Sequence, residues 1–333
     1  MLDLENRLDE VLDRCKDTVR AVVEFVTQQV ERHIGVDTVQ PTFKDKNNIT
    51  REIDGKAHGL YQFKLNDDFG TAVTIAGEEE AKEIDWSKEE RFLASVDAVD
   101  GTDLIVRGFY NWCSALFLFK PNSHVIASWV GMPSSRVGKT ALGASKEVPT
   151  GTVYFAKSGE AFKEEDSEGK PKRSKVLVPA ENRQKKLEDA SICFYGQKAK
   201  NFLSVFNQKR LVSKLKEFKS KADGGGFVPF RIYNLAGNPM LVKVGEGIVD
   251  VVIELEGQRV YDVIPGAYFA QQAGAFWGDL KGLEINNQYL LSNGFLSDPK
   301  KKLTYIVASS KALYDEVLAT IVPPKGPRKR QPH

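Results

Sequence analysis

Cysteine is scarce in this chain, with three among 333 residues: Cys15, Cys113 and Cys193. An odd number at wide spacing excludes a disulfide framework and a CxxC metal site, and it fits a reducing cytoplasm. Histidine is scarce too. The four residues His33, His58, His124 and His333 lie outside every motif found below, so oxygen atoms are the donors on offer to a metal. No apolar run approaches the ~18 residues of a membrane helix. The opening MLDLENRLDEVLDR is acidic where a secretory leader would be positive, which argues against export. An excess of charge is also missing. Lys and Arg (47) balance Asp and Glu (45) to a net +2, which gives no reason to expect a nucleic-acid or membrane surface. What is present, 41% hydrophobic and 28% charged residues, is ordinary for a globular chain of one or two domains.

Between Leu4 and His33, apolar side chains at Leu8, Val11, Leu12, Cys15, Val19, Val22, Val23, Val26 and Val30 recur at steps of three and four. That period predicts a long amphipathic helix. A short helix is expected from Asp54 toward Gln62. Strand-like runs follow: TAVTIAG, RFLASVD, WCSALFLF and HVIASWVGM, the last two joined by KPNS as a hairpin turn. From about Ala144 to Leu187 the chain becomes charged and rich in Gly, Ser and Lys, with little to bury, and reads as an exposed insertion. Strand and helix then alternate. The order is ASICFYG, a helix over Lys198 to Lys221, FVPFRIYN, a helix around Ala236 to Val244, IVDVVIEL, a helix after Asp262, TYIVASS, and the helix KALYDEVLATI. Such alternation predicts mixed sheets covered by helices. Gly224, Gly225 and Gly226 fit neither GxGxxG nor GxxxxGKS and read as a helix-to-strand turn. The tail 323–333, basic and Pro-rich, is expected to be disordered.

The chemistry concentrates in SVDAVDGTDLIVRG, Ser95 to Gly108. An apolar strand delivers Asp97, Asp100 follows three residues later, and Gly101-Thr102 comes next. Two carboxylates at 4 Å repel by about 4 kcal/mol at an effective dielectric of about 20. A hard divalent cation would neutralise them, and backbone N–H groups at Gly101 and Thr102 would seat a phosphate beside it. An exposed turn with Asp as cap competes with this reading. An EF-hand does not, because Gly108 stands where its bidentate Glu should be. Upstream, TAVTIAGEEE is a strand running into Glu78, Glu79 and Glu80. Alone, such a triplet is a solvated helix start. Set beside Asp97 and Asp100, it suggests a carboxylate cage.

The succession GEE, DAVDGT and a late YDVIPGA resembles the inositol monophosphatase family, in the lithium-sensitive, magnesium-dependent superfamily of sugar and nucleotide phosphatases. The resemblance runs from the Asp54 region to TYIVASS. It implies an α+β fold, a layered α-β-α-β-α sandwich, in one domain over 1–322 with subdomains of about 1–187 (metal and phosphate) and 188–322 (substrate side). Carried over, it assigns Glu78, Asp97, the carbonyl of Val99, Asp100 and Asp262 as ligands of Mg2+. Thr102 would orient the attacking water, with Asp54 hydrogen-bonded to it and Glu78 serving the same catalytic group. Gly101, Thr102 and Asp262 would bind substrate. Departures are Ala98 for a usual Pro, Tyr261 for a Trp, and Ile264-Pro265 for two Ala. RIYNLAG, Arg231 to Gly237, only loosely echoes the family's substrate-side stretch.

The function expected is hydrolysis of a small, inositol monophosphate-like ester. The alternatives are a 3′-phosphoadenosine 5′-phosphate phosphatase, suggested by Arg107-Gly108 and the insertion, or a fructose-1,6-bisphosphatase. A catalytically dead metal-binding scaffold is the reading outside enzymes. Glu254 or Glu256 would contact a substrate hydroxyl by analogy with a family Glu. The partner is a small phosphorylated metabolite, and a homodimer is allowed because family members are often dimers.

Overall fold

The stripe at steps of three and four winds into α1 (Leu8–Ile34), and in the computed structural model Val11, Leu12, Cys15, Val19, Val22, Val23 and Val26 are all buried. The structure describes residues 6–34, 43–77, 84–105, 111–133, 151–167, 170–196 and 198–321. The tail 323–333 and the start of the charged segment, 144–150, lie outside them. The second helix is longer than expected. α2 spans Phe43–Phe69, burying Ile53, Ala57, Tyr61, Leu65 and Phe69. One apolar residue per turn, set among charges, is a weak periodic signal, and the sequence reading sampled only its middle.

Two mixed sheets form. The first has strand order β1-β2-β3-β4-β5-β6-β7. Its strands are β1 (Val73–Gly77), β2 (Phe92–Asp100), β3 (Cys113–Phe119), β4 (Val125–Met132), β5 (Thr152–Lys157), β6 (Glu160–Ser167) and β7 (Lys170–Lys175). β1 runs parallel to β2 and the rest is antiparallel. The second has order β11-β12-β10-β8-β9. Its strands are β8 (Ser191–Phe194), β9 (Arg231–Tyr233), β10 (Val251–Arg259), β11 (Phe276–Gly278) and β12 (Lys302–Ala308). α1 and α2 cover one face of the first sheet. Helices Asn238–Gly245 and Ile264–Gln272 fill the space between the sheets, and helices Ala199–Phe206, Lys209–Asp223 and Lys311–Ile321 lie on the far side of the second. The result is the expected α-β-α-β-α sandwich. Among the described residues no helix is long and apolar enough to cross a membrane.

Three expectations need correction. The helix over Lys198 to Lys221 is two helices, parted at Asn207-Gln208, where Gln208 turns extended and its Nε2 donates back to the Ser204 carbonyl at 2.8 Å. FVPFRIYN contributes only Arg231–Tyr233 as strand. The charged stretch is no loop insertion. Its β5 buries Val153, Tyr154, Phe155 and Ala156, and β6 and β7 complete the first sheet. β7, KPKRSK, is exposed throughout. Lys, Arg and Pro on an edge strand discourage pairing with another chain, so its composition imitates a solvated loop. The Gly224–Gly226 turn is as expected: Gly225 has φ 86° and the Gly226 N–H caps the Lys221 carbonyl.

α1 is bound to that edge through Glu164, 4% exposed, whose carboxylate meets Lys16, Arg20 and Arg173. Burial pushes its pKa up, but hydrogen bonds from Arg20 and Lys16 outweigh this, so the carboxyl titrates below its usual range. Its stabilisation is present above the ordinary carboxylate range and is lost as pH falls through the lowered value. Glu164→Gln removes the buried charge that Lys16 and Arg20 share, leaving Lys16 only the exposed Asp13 and Asp17 at 3.6 and 3.3 Å, and should cost about 3 kcal/mol. Urea unfolding at pH 7 checks this, and the difference from wild type should shrink toward pH 3.

Candidate active site

β2 ends Val96-Asp97-Ala98-Val99-Asp100. In a regular strand, residues three apart face opposite sides of the sheet. Here Asp97 lies opposite Ala115 and Asp100 opposite Cys113, so three steps on β2 meet two on β3. The extra residue is a β-bulge, which lets both carboxylates reach the same side. Asp97 Oδ1 accepts the Val99 N–H at 3.2 Å across the bulge. Gly101 follows at φ 95°, a left-handed conformation that a β-carbon disfavours. The chain then enters the one-turn helix α3 (Thr102–Ile105), where the Leu104 N–H bonds the Gly101 carbonyl at 2.9 Å.

Asp262 arrives from the second sheet. It closes the turn Val260–Asp262 after β10, just ahead of helix Ile264–Gln272. Pro265 sits in the first turn of that helix, where its missing N–H removes no bond. The link between the two corners is Asn238, fully buried at the start of its helix. Its backbone N–H and Nδ2 donate to Asp100 Oδ2 at 3.3 and 3.1 Å, Nδ2 also reaches the Tyr261 carbonyl at 3.2 Å, and Oδ1 accepts the Gly266 N–H at 2.8 Å. Gly237 before it has φ 79°, and a β-carbon there would stand 3.2 Å from Asp100 Oδ2.

The carboxylates open onto one cleft of ≈ 760 Å³, lined by Asp97, Val99, Asp100, Gly101, Thr102 and Asp262 among others. The buried Cys113 thiol reports the same convergence. Its pKa is pushed well above the usual value, first by burial, then by Asp100 and Asp97, with Asp262 adding to the effect. All three carboxylates therefore lie within electrostatic reach of one sulfur.

Of the residues expected from sequence, the structure brings seven into this cleft: Asp97, Val99, Asp100, Gly101, Thr102, Glu256 and Asp262. Asp54 is not among its lining residues. It stands on α2, which touches α3, one turn before His58. The His58 ring packs so tightly on Gly77, at the end of β1, that a β-carbon there would lie 2.6 Å from it. Glu78, Glu79, Glu80 and Arg107 lie outside the described residues. Glu254 is buried away from the cleft. Its Oε1 accepts the N–H groups of Glu256 and Gly257 at 2.7 and 2.8 Å, and burial raises its pKa. Glu256 does line the cleft, paired with Lys200 at 2.5 Å. Sequence reasoning missed Asn238. Its signal was the Gly-Asn-Pro step ahead of MLVKV, a polar residue at a helix start with Pro in the first turn.

Among the described residues no three His, Cys, Asp or Glu side chains are grouped closely enough to hold a metal by themselves. The donor chemistry fits a hard cation: the carboxylates of Asp97, Asp100 and Asp262 and the Val99 carbonyl, all oxygen, line the same cleft.

The profile of the inositol monophosphatase family matches residues 7–320. No curated protein matches the chain. Among solved structures, Mycobacterium tuberculosis SuhB is similar at TM-score 0.59 and 17% identity, covering 95% of this chain and 96% of that one. An IMPase of Thermotoga maritima is similar at TM-score 0.57 and 18% identity, covering 95% and 96%. An IMPase/NADP phosphatase complexed with NADP and Ca2+ is similar at TM-score 0.59 and 18% identity, covering 99% and 100%. At these identities the structural likeness concerns the fold.

Proposed function

Because the chain belongs to the inositol monophosphatase family and is a phosphoric monoester hydrolase, we propose that it is magnesium-dependent and cleaves a small phosphate monoester where Asp97, Asp100 and Asp262 converge. The observation that carries this reading is the shared cleft, which joins the end of β2 to the turn after β10. Asp97, Asp100, Asp262 and the Val99 carbonyl, with Glu78 from the segment after β1, would hold magnesium. When bound, the ion supplies positive charge to the phosphoryl oxygens and the leaving ester oxygen.

The chain's own groups do the rest. The N–H groups of Gly101 and Thr102 bind the phosphate, and Asn238 fixes the rotamer of Asp100 through two donors. The Thr102 hydroxyl orients the water that attacks phosphorus in line with the departing ester oxygen, and Asp54 accepts from that hydroxyl. Catalysis is then mainly positioning and charge neutralisation. Thr102→Ala should lower kcat by about 10²-fold with magnesium affinity nearly unchanged, as read by single-turnover phosphate release and by calorimetry. An unaltered kcat removes Thr102 from this role.

A nucleotide phosphatase, acting on a 3′-phosphoadenosine 5′-phosphate type of substrate, is the second reading. The cleft of ≈ 760 Å³ has room for a nucleotide. Phosphate release from a panel of sugar phosphates and nucleotides, with magnesium and with chelator, ranks the two readings. No release from any ester rejects both.

A further inference from the structure

β10 does not keep one register against β12. Glu254 lies opposite Tyr305 and Gln258 opposite Leu303, so four steps on β10 meet two on β12. The extra residues form a bulge. The buried Glu254 carboxylate holds it through the N–H groups of Glu256 and Gly257 at 2.7 and 2.8 Å, with Gly257 at φ 88°. Leu303 and Tyr305, two apart on one strand, share a face and are both buried in the core between the sheets. Gln258, across from Leu303, comes to that same face as the diagonal neighbour of Tyr305.

The Tyr305 hydroxyl donates to Gln258 Oε1 at 2.7 Å. Tyr305 is fully buried. Burial first, then the charges of Glu254, Asp100 and Asp262, push its pKa well above the ordinary value, so the ring stands within electrostatic reach of the acidic corner and keeps its proton. A carboxamide whose oxygen is fixed in this way has its two Nε2 N–H groups left to offer. Among the described residues no protein group accepts from them. Gln258 is half-buried and lines the cleft together with Asp100 and Asp262. The other polar side chains of the bulge are engaged, Glu254 with the backbone and Glu256 with Lys200.

We propose that Gln258 is a specificity-determining residue whose Nε2 donates to an uncharged oxygen, a hydroxyl or a ring ether, on the organic part of the ester, and that Tyr305 is the positioning residue that aims it. Which ester is cleaved rests on the phosphatase reading. The donor is neutral, so it discriminates by hydrogen bonding and not by charge, and an ester without the acceptor leaves a desolvated N–H unpaired. Because Tyr305 orders the carboxamide on folding, little rotamer freedom is lost when substrate binds.

Esters with and without oxygens on the organic part test it in magnesium: myo-inositol 1-phosphate, glucose 1-phosphate and adenosine 5′-monophosphate against phenyl phosphate. Gln258→Met keeps the side-chain length and removes both donors. It should lower kcat/KM for at least one of the first three about tenfold, mainly through KM, and leave phenyl phosphate within about twofold. Gln258→Met combined with Tyr305→Phe, in which no buried hydroxyl lacks an acceptor, should show the same selective loss, so a folding defect of the single variant does not decide the outcome. Tyr305→Phe alone frees the carboxamide and should give a smaller loss, about threefold, again sparing phenyl phosphate. An equal loss for phenyl phosphate overturns the proposal, because Gln258 would then only shape the cleft, and so does an unchanged kcat/KM for every ester. Unchanged selectivity in Tyr305→Phe removes Tyr305 from the positioning role. If no ester is turned over, the phosphatase reading fails and calorimetry of the same esters decides the inference alone. Weaker binding to Gln258→Met of an oxygen-bearing ester, but not of phenyl phosphate, upholds it, and unchanged binding overturns it.

Discussion

Asp97→Asn should lower kcat by about 10³-fold or more, equivalent to about 4 kcal/mol of lost transition-state stabilisation, while the protein remains folded. The substitution is nearly isosteric, and the amide oxygen can still accept the Val99 N–H that Asp97 Oδ1 holds at 3.2 Å. What disappears is one of three negative charges on the cleft wall. Without metal those charges repel one another, so removing one should leave the unfolding free energy in chelator equal or slightly higher, by an amount on the order of 1 kcal/mol. With magnesium the order should reverse, because an ion that binds only the native state stabilises it by mass action and the variant binds it weakly. Activity assays joined to thermal melts, with and without magnesium, read both effects. Retained turnover would remove Asp97 from the site, whereas unfolding of the variant would make it a structural residue.

Asn238→Leu should cost about 3 kcal/mol in unfolding free energy, since a buried Gly266 N–H and the Tyr261 carbonyl both lose a partner, and it should weaken magnesium binding as well. The side chain is fully buried, and its amide spans three segments: the Asp100 carboxylate, the turn carrying Asp262 and the helix that follows. Asn238→Asp is more telling. It can still accept from Gly266 but loses both Nδ2 donations and places a further negative charge against Asp100. Turnover should fall at least about 10²-fold, with the apparent magnesium requirement raised. Partial rescue of Asn238→Asp by high magnesium marks a positioning role. Equal kcat at saturating metal in wild type and variant would leave Asn238 a purely structural bridge.

Much of the fold was legible because each long element keeps one period. The α1 stripe and the apolar runs that became β1 to β4 lie where hydrophobic spacing put them. β7 was not legible, since an edge strand with no buried side chain has no alternation to show. The acidic wall was half legible. Asp97 and Asp100 stand out in the sequence, yet their spacing of three suits a single face only through the bulge opposite Ala115 and Cys113, which no local pattern announces. Asp262 was identified by resemblance alone, because a single Asp after a strand carries no signal of what it faces across the fold. Asn238 and the Gln258–Tyr305 pair belong to the same class. Their meaning lies in the register between β10 and β12 and in the packing between the sheets, not in neighbours along the chain.

Magnesium titration by calorimetry of the wild type, Asp97→Asn and Asp262→Asn tests most directly whether carboxylates from the two sheets serve one centre. Saturable binding in the wild type, weakened at least about tenfold by either substitution alone, is the expected result. Binding left intact by Asp262→Asn would mean that the turn after β10 takes no part in holding the ion, and the proposed centre would be contradicted.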